Sequence, residues 1–395
     1  AYQSVGRALL LCGGTAIAGF GSLAWSTNSG MASLGQVCAV GIGSNMLIAI
    51  FLLPLWWHKV VGRGRAQPKV TTAKQSADTE PAQDPEVSTP SALYCSFLWR
   101  LGLGLVRLVP LRLCRWIGRL VISAYWLCAP HRRDTVTRNL APALDGDERA
   151  ARTCARSLFH QFALKLLDLW RFEAGMPIHT LLGRATGWEH FVAAQAKNRG
   201  VLLLTPHLGN WEFGGPLMTQ RGVTLQVLTL AEPGKGFTEM RRASRARWNI
   251  ETLVVGDDPL AFVEVIRRLE QGATVALLVD RPPPPTAITV KLFGQPFAAS
   301  VAAAELARAS GCALLPVYLP RSGSGYEAHI LPEITYDRPS LRDREARRRL
   351  TQAILSAFEP VIREHLDQWY HFVPIWPAMG ENTDPKPANL RIQPR

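Results

Sequence analysis

An imidazole and a carboxylate stand five residues apart in the run Pro206-His207-Leu208-Gly209-Asn210-Trp211-Glu212-Phe213-Gly214-Gly215. On a continuous helix that spacing is a rotation of about 140°, which puts the two side chains on different faces. A tight turn can bring them together, and Gly209 permits one. Asn210 would then begin a helix with Glu212 in its first turn. A carboxylate bonded to one ring nitrogen fixes the tautomer and stabilises the cation, leaving the other nitrogen to take a proton from an alcohol. No serine or cysteine lies between His207 and Glu212, so the motif does not suggest a covalent acyl-enzyme. The plainer reading of the same pair is a hydrogen bond that stabilises a turn.

The elements that must position this pair are legible around it. Val201–Thr205 (VLLLT) reads as a buried strand running straight into Pro206-His207. Gln226–Leu230, Ala273–Val279 and Ala313–Leu319 read as further apolar strands, and 148–173, 259–270 and 300–310 as helices by the spacing of their apolar residues. Helices interleaved with such strands predict an α/β layer with a mostly parallel central sheet. In such sheets chemistry gathers beyond the carboxyl ends of the strands, which is where His207 falls.

Composition narrows the setting. The chain has 395 residues, a net charge of +13, 47% hydrophobic and 19% charged residues, which excludes wholesale disorder. Seven cysteines form no CxxC pair, so no disulfide scaffold or zinc ribbon is expected, and no HExxH or H-x-H pattern points to a metal. There is also no GxGxxG and no P-loop. Residues 1–62 carry only Arg7 and Lys59 as charges, and the apolar runs 8–25 and 33–57 predict a two-helix transmembrane hairpin. Arg7 before the first run, and Lys59, Arg63, Arg65 and Lys69 after the second, predict that both ends are cytoplasmic. The alternative is a buried apolar hairpin. Residues 63–91, rich in Pro, Ala and Thr, predict a flexible linker, and 381–395 a polar tail. From 92 to 128, Arg100, Arg107, Arg112, Arg115 and Arg119 are set among Leu, Val, Ile and Trp. That pattern predicts basic amphipathic helices lying on an anionic bilayer. A core helix with a solvated rim is the bland alternative. Nucleic acid is not an expected partner, because no basic-aromatic recognition motif is present.

Two resemblances extend this reading. The segment Gly6 to Trp57, with T-x-I-A-G-F-G-S-L from Thr15, G-x-A-S-L-G from Gly30 and F-L-L-P from Phe51, resembles the last two membrane helices of the large RND-type hydrophobe exporters. It looks like the tail of an exporter, fused or truncated upstream. The motif His207-Leu208-Gly209-Asn210-Trp211-Glu212 resembles the H-x4-[DE] motif of the glycerolipid and lipid A acyltransferase superfamily. Other blocks follow in that family's order. They are His131-Arg132-Arg133 through Asn139-Leu140, the Arg245-Ala246-Arg247 cluster, Leu277-Leu278-Val279-Asp280 followed by Val290-Lys291-Leu292-Phe293-Gly294-Gln295-Pro296, and Ala302–Arg308 with Leu315-Pro316-Val317. The resemblance covers about residues 95–375 and implies an acyltransferase domain over 92–380.

What the lipid A acyltransferase resemblance implies is specific. An acyl group would pass directly from an acyl carrier protein or coenzyme A thioester to a hydroxyl of a membrane lipid, at the cytoplasmic face of the inner membrane, with no resident cofactor. His207 would be the general base and Glu212 its orienting carboxylate. The backbone amides of Gly209 and Asn210 at a helix start would hold the oxyanion. Arg245 or Arg247 would bind a phosphate or the pantetheine of the donor, unless they form a plain basic surface turn. Asp280 would hold an arginine or substrate, or simply make the turn before Arg281 and the prolines 282–285. Near the end, the family's Trp-x-His-Arg-Arg segment is replaced by Trp369-Tyr370-His371-Phe372-Val373, which lacks the arginine pair. Lipid A carries phosphates, so this change opens the acceptor to other lipids or to an aryl polyene. Two other classes of protein compete with the enzyme. One is a remnant or accessory part of an exporter, although residues 1–58 alone cannot form a translocation path. The other is a non-catalytic lipid-binding module.

Overall fold

The computed structural model describes residues 15–23, 26, 29–47, 96–177, 180–230, 236–255, 259–282 and 287–376. The chain divides into two units, residues 1–84 and 85–395. In the first, residues 15–23 and Ser29–Leu47 are helical. Among the described residues no helix is long and apolar enough to cross a membrane. The expected hairpin is therefore not carried by this structure. Its flanks 8–14 and 48–57 lie outside the described residues, as do the linker 63–91 and the tail 381–395.

The second unit opens with helices α1 (Ser96–Leu108), α2 (Leu111–Cys128) and α3 (Pro130–Leu140). Pro110 separates α1 from α2 and Pro130 sits at the start of α3, positions where a missing N–H costs a helix nothing. Helix α4 (Glu148–Glu173) matches the predicted 148–173. It begins where it does because the Asp147 side chain accepts from the Ala150 N–H at 2.9 Å, capping the first turn. One face of α4 is apolar, with Ala151, Ala155, Leu158 and Phe159 all buried.

The sheet forms from β1 (Leu182–Thr186), β2 (Val201–Thr205), β3 (Leu225–Leu230), β4 (Ile250–Val255), β5 (Thr274–Leu278), β8 (Ala313–Tyr318), β9 (Arg321–Ser322) and β10 (Gly325–Ile330). Its order is β1-β10-β8-β2-β5-β3-β4, with β9 paired to β10. The run β8-β2-β5-β3-β4 is parallel throughout. β10 turns antiparallel against β8, and β1 adds parallel to β10. A separate antiparallel hairpin joins β6 (Ala287–Leu292) to β7 (Gln295–Ser300). Every residue of β2 is buried, as expected for a strand covered on both faces. Helices α5 (Trp188–Gln195), α6 (Gly214–Gln220), α7 (Phe237–Ala246), α8 (Pro259–Glu270), α9 (Ala302–Ser310) and α10 (Arg344–Glu364) complete the layers. The main core gathers Leu202 and Leu204 of β2, Phe159 of α4, Leu306 of α9, Phe358 of α10 and Trp369. The mostly parallel α/β architecture thus stands as expected. The antiparallel edge and the β6–β7 hairpin are additions that the sequence reading did not contain.

Candidate functional site

Two neighbouring parallel strands build the site by register. Thr205 at the end of β2 is paired with Leu278 at the end of β5. The Val279 N–H continues the ladder by donating to Thr205 O at 3.1 Å. Two residues beyond each paired end stand His207 and Asp280, and equal offsets bring them face to face. His207 Nδ1 lies 2.6 Å from Asp280 Oδ1, and the His207 backbone N–H donates to Oδ2 at 2.9 Å. The carboxylate that holds His207 is therefore Asp280, whose expected alternatives were an arginine contact, a substrate contact or a simple turn.

Asp280 is closed in from a third direction. After α10 the chain returns as residues 366–372 and runs antiparallel beside 207–209. Leu208 bridges to Trp369, Tyr370 N–H donates to His207 O at 2.8 Å, and Gly209 N–H donates to Gln368 O at 3.0 Å. This seats Trp369 Nε1 at 2.8 Å and His371 Nε2 at 2.9 Å from Asp280 Oδ2. Asp280 is fully buried, which by itself would push its carboxyl up. The two imidazoles that pair with it outweigh burial and hold it well below the usual carboxylate range. With Asp280 ionised, His207 Nδ1 is the donor. His207 Nε2 has no hydrogen-bond partner among the described residues, and the side chain keeps 16% of its surface exposed. A base with one nitrogen anchored and the other open to a ligand is the result.

Glu212 does not orient His207. Gly209 takes φ 62°, and a Cβ there would collide with the Leu319 carbonyl. The chain then enters a 3₁₀ turn, Trp211–Phe213, before α6 begins at Gly214, so the α-helix starts four residues later than the expected Asn210. That turn carries Glu212 toward α7. Arg241 Nη2 lies 2.7 Å from Glu212 Oε2, and Arg245 donates through Nη2 at 2.8 Å and Nε at 3.2 Å. Arg245 in fork geometry, with Arg241 on Oε2, satisfies both carboxylate oxygens. Burial pushes the Glu212 carboxyl up, but Arg241 and Arg245 outweigh it and hold the group far below its ordinary value. Arg241 also reaches Glu173, which accepts from Trp99 Nε1 and Ser244 Oγ at 2.8 Å each. A buried polar network thus joins α1, α4, α7 and the turn after β2.

The expected oxyanion amides are already engaged. Gly209 N–H donates to Gln368 O, and Asn210 N–H to Leu319 O at 2.9 Å. Neither points into open space. Arg245 is bound to Glu212, and Arg247 donates to Glu173 O and Ser244 Oγ at 3.3 Å. The structure therefore brings His207 and Asp280 together, places Glu212 and Arg245 beside them as an ion pair, and assigns Gly209 and Asn210 to the turn.

Four residues of this site escaped sequence reasoning: Trp369, His371, Arg241 and Lys165. Lys165 is 3% exposed. Its Nζ lies 2.9 Å from the centre of the Trp211 ring and 4.9 Å from that of Tyr370. Burial pushes its amine well below the usual lysine range, against the raising effect of Glu212. Trp211 in turn packs edge-on to His207, ring centres 5.2 Å apart. The signal for Trp369 and His371 was their type, an indole and an imidazole two apart. Nothing in their spacing tells which strand end they visit. Ligand atoms of His207, Asp280 and His371 lie within 4.8 Å of one another. Their facing atoms are committed to mutual hydrogen bonds, so the trio forms a bonded dyad with a second donor.

The His207–Asp280 dyad thus stands at the carboxyl ends of β2 and β5 in a mostly parallel α/β sheet. Residues 80–377 match the family model described as bacterial lipid A biosynthesis acyltransferase. The chain belongs to that family, a family of acyltransferases. It is similar to a phosphatidylinositol mannoside acyltransferase of Mycobacterium tuberculosis (strain ATCC 25618 / H37Rv), 28% identical over 208 residues, 52% of this chain and 63% of the relative. A protein of the same description from Mycolicibacterium smegmatis (strain ATCC 700084 / mc(2)155) is 28% identical over 206 residues, 51% of this chain and 64% of the relative. The chain thus spans under two thirds of the length of the curated relatives it matches.

Proposed function

We propose that the chain moves a fatty acyl group from a thioester, carried by acyl carrier protein or coenzyme A, to a hydroxyl of a membrane lipid. His207 acts as the general base and Asp280 orients it. Nε2 removes the proton of the acceptor hydroxyl as its oxygen attacks the thioester carbonyl. Collapse of the tetrahedral intermediate breaks the carbon–sulfur bond. The leaving thiolate then takes the proton back from the imidazolium. Ester and free thiol result, and His207 is regenerated. Asp280 holds the Nδ1 proton throughout and steadies the transient cation. The donor thioester is a substrate, and no resident cofactor is needed. Glu212, Arg241 and Arg245 fix the turn that carries Trp211 against His207.

The observation that carries this reading is the anchored Nδ1 beside a free Nε2 on a partly exposed ring. The family and the glycolipid named in the relatives' description favour a hydroxyl on a lipid headgroup as the acceptor. The bilayer itself is the proposed partner of α1 and α2, and the cytoplasmic face of the inner membrane the proposed location. The test is transfer of labelled acyl groups from acyl-coenzyme A and from acyl carrier protein into a membrane lipid extract. His207→Ala and Asp280→Asn should each lower the rate by about 10²–10⁴-fold, the usual share of a general base. Full transfer by either variant would overturn the mechanism.

A further inference from the structure

The His–Asp dyad is held from behind by a second imidazole. Asp280 Oδ1 faces one donor, the ring of His207, while Oδ2 accepts three: the His207 backbone N–H, Trp369 Nε1 and His371 Nε2. A buried carboxylate is stable only when its lone pairs are met, and here the meeting is asymmetric. His371 is itself buried, at 2% exposure, and its Nδ1 has no hydrogen-bond partner among the described residues. Its backbone carbonyl accepts from Asn139 Nδ2 at 2.9 Å, which ties the main chain at His371 to α3.

We propose that His371 is a positioning residue, a permanently neutral Nε2–H donor that pins Oδ2 of Asp280 so that Oδ1 stays aimed at the working imidazole. The proposal rests on His207 being the base. Its logic is electrostatic. A second proton on His371 would place an N–H on Nδ1 where nothing accepts it. The charges facing that ring are Asp280 and His207, with Arg281 beyond Asp280 on the same chain segment and Arg132 of α3 bonded to the adjacent Phe372 carbonyl. Only Asp280 favours a cation there, and burial opposes it. One carboxylate therefore serves one imidazolium, and the positive charge formed in catalysis belongs to His207 alone. Removing the His371 donor leaves Asp280 less well satisfied. Asp280 then binds the protonated His207 more strongly, and His207 becomes harder to deprotonate.

The experiment follows the ring nitrogens of ¹⁵N-histidine-labelled protein by NMR across pH, alongside the pH profile of kcat/KM in the lipid-extract assay. In the unaltered protein His371 should report the neutral Nε2–H tautomer throughout the pH range of activity. His371→Leu should move the acidic limb of the rate profile to higher pH by roughly half a unit to one unit. It should also lower kcat about 10- to 100-fold, the equivalent of one hydrogen bond to a charge. His371→Gln, which offers an N–H at similar reach, should restore both. A folded His371→Leu protein with an unmoved acidic limb overturns the proposal, and so does a His371 that takes up a second proton within the pH range of activity. If His371→Leu fails to fold, the tautomer in the unaltered protein and the behaviour of His371→Gln still decide. Loss of the base reading would show differently: His207→Ala would remain active whatever the ring nitrogens report.

Discussion

At the residue scale, the site is an arrangement of charges whose ownership was misassigned by spacing alone. His207 and Glu212 are close in sequence, yet Glu212 belongs to Arg241 and Arg245. The two acidic groups of the site, Asp280 and Glu212, both sit below their ordinary values because their partners outweigh burial. A depressed carboxyl adds stability that is fully present above the unfolded-state value and is lost as pH falls through the folded one. Stability should therefore decline from about pH 4.5 downward, and Glu212→Gln should flatten that decline while lowering stability at neutral pH. Denaturant melts of both proteins between neutral pH and pH 3 check this, and equal slopes would count against it. His207 was legible because it follows an unmistakable buried strand and a turn-permitting glycine. Asp280 was visible as a strand-end acid, but its partner was not, since adjacency of β2 and β5 is a fact of sheet order. Trp369 and His371 were less legible still, because they reach the site through a loop after α10.

At the element scale, the turn after β2 carries most of the specification. Gly209 is in the left-handed region with the Leu319 carbonyl against it. Gly209→Ala should destabilise the protein by about 1–3 kcal/mol from backbone strain alone, and more from the collision. A thermal melt against the unaltered protein measures it. The helices 148–173 and 259–270 came out with their expected bounds because their apolar period is clear, and in the first the Asp147 cap agrees with it. β1, β10 and the β6–β7 hairpin did not, because short, partly exposed strands lack a strong period. Helices α1 and α2 show the expected amphipathic character. Leu108, Trp116, Val121 and Leu127 stand exposed beside Arg112 and Arg119. On the proposed membrane reading, Trp116→Asp should weaken sedimentation with anionic vesicles several-fold and leave the melting temperature unchanged. Binding that ignores both Trp116→Asp and added salt would remove the bilayer from the account.

At the scale of the whole molecule, the mostly parallel sheet of the 85–395 unit separates buried clusters, with Leu202 and Leu204 of β2 in the largest and Val201 and Leu203 in another. Phe358 of α10 and Leu204 of β2 are completely buried in the largest. Leu204→Ala should cost about 2–5 kcal/mol, and because β2 ends two residues before His207, acyl transfer should fall along with stability. The acyltransferase class was legible at this scale from ordered motifs that the family model spans. The membrane hairpin was not tested at this scale, because its flanks lie outside the described residues.

The return of the 366–372 segment to the end of β2 has a consequence for how the molecule comes to life. Asn139 clasps His371 across 232 residues of sequence, and Trp369 meets Asp280 across 89. Contacts so distant along the chain form late, after the loops between them have been closed. A nascent polypeptide that has emerged only as far as α10 has its sheet and its imidazole but no lock on Asp280. Catalytic competence should thus switch on only once residues 366–372 have emerged and closed over Asp280.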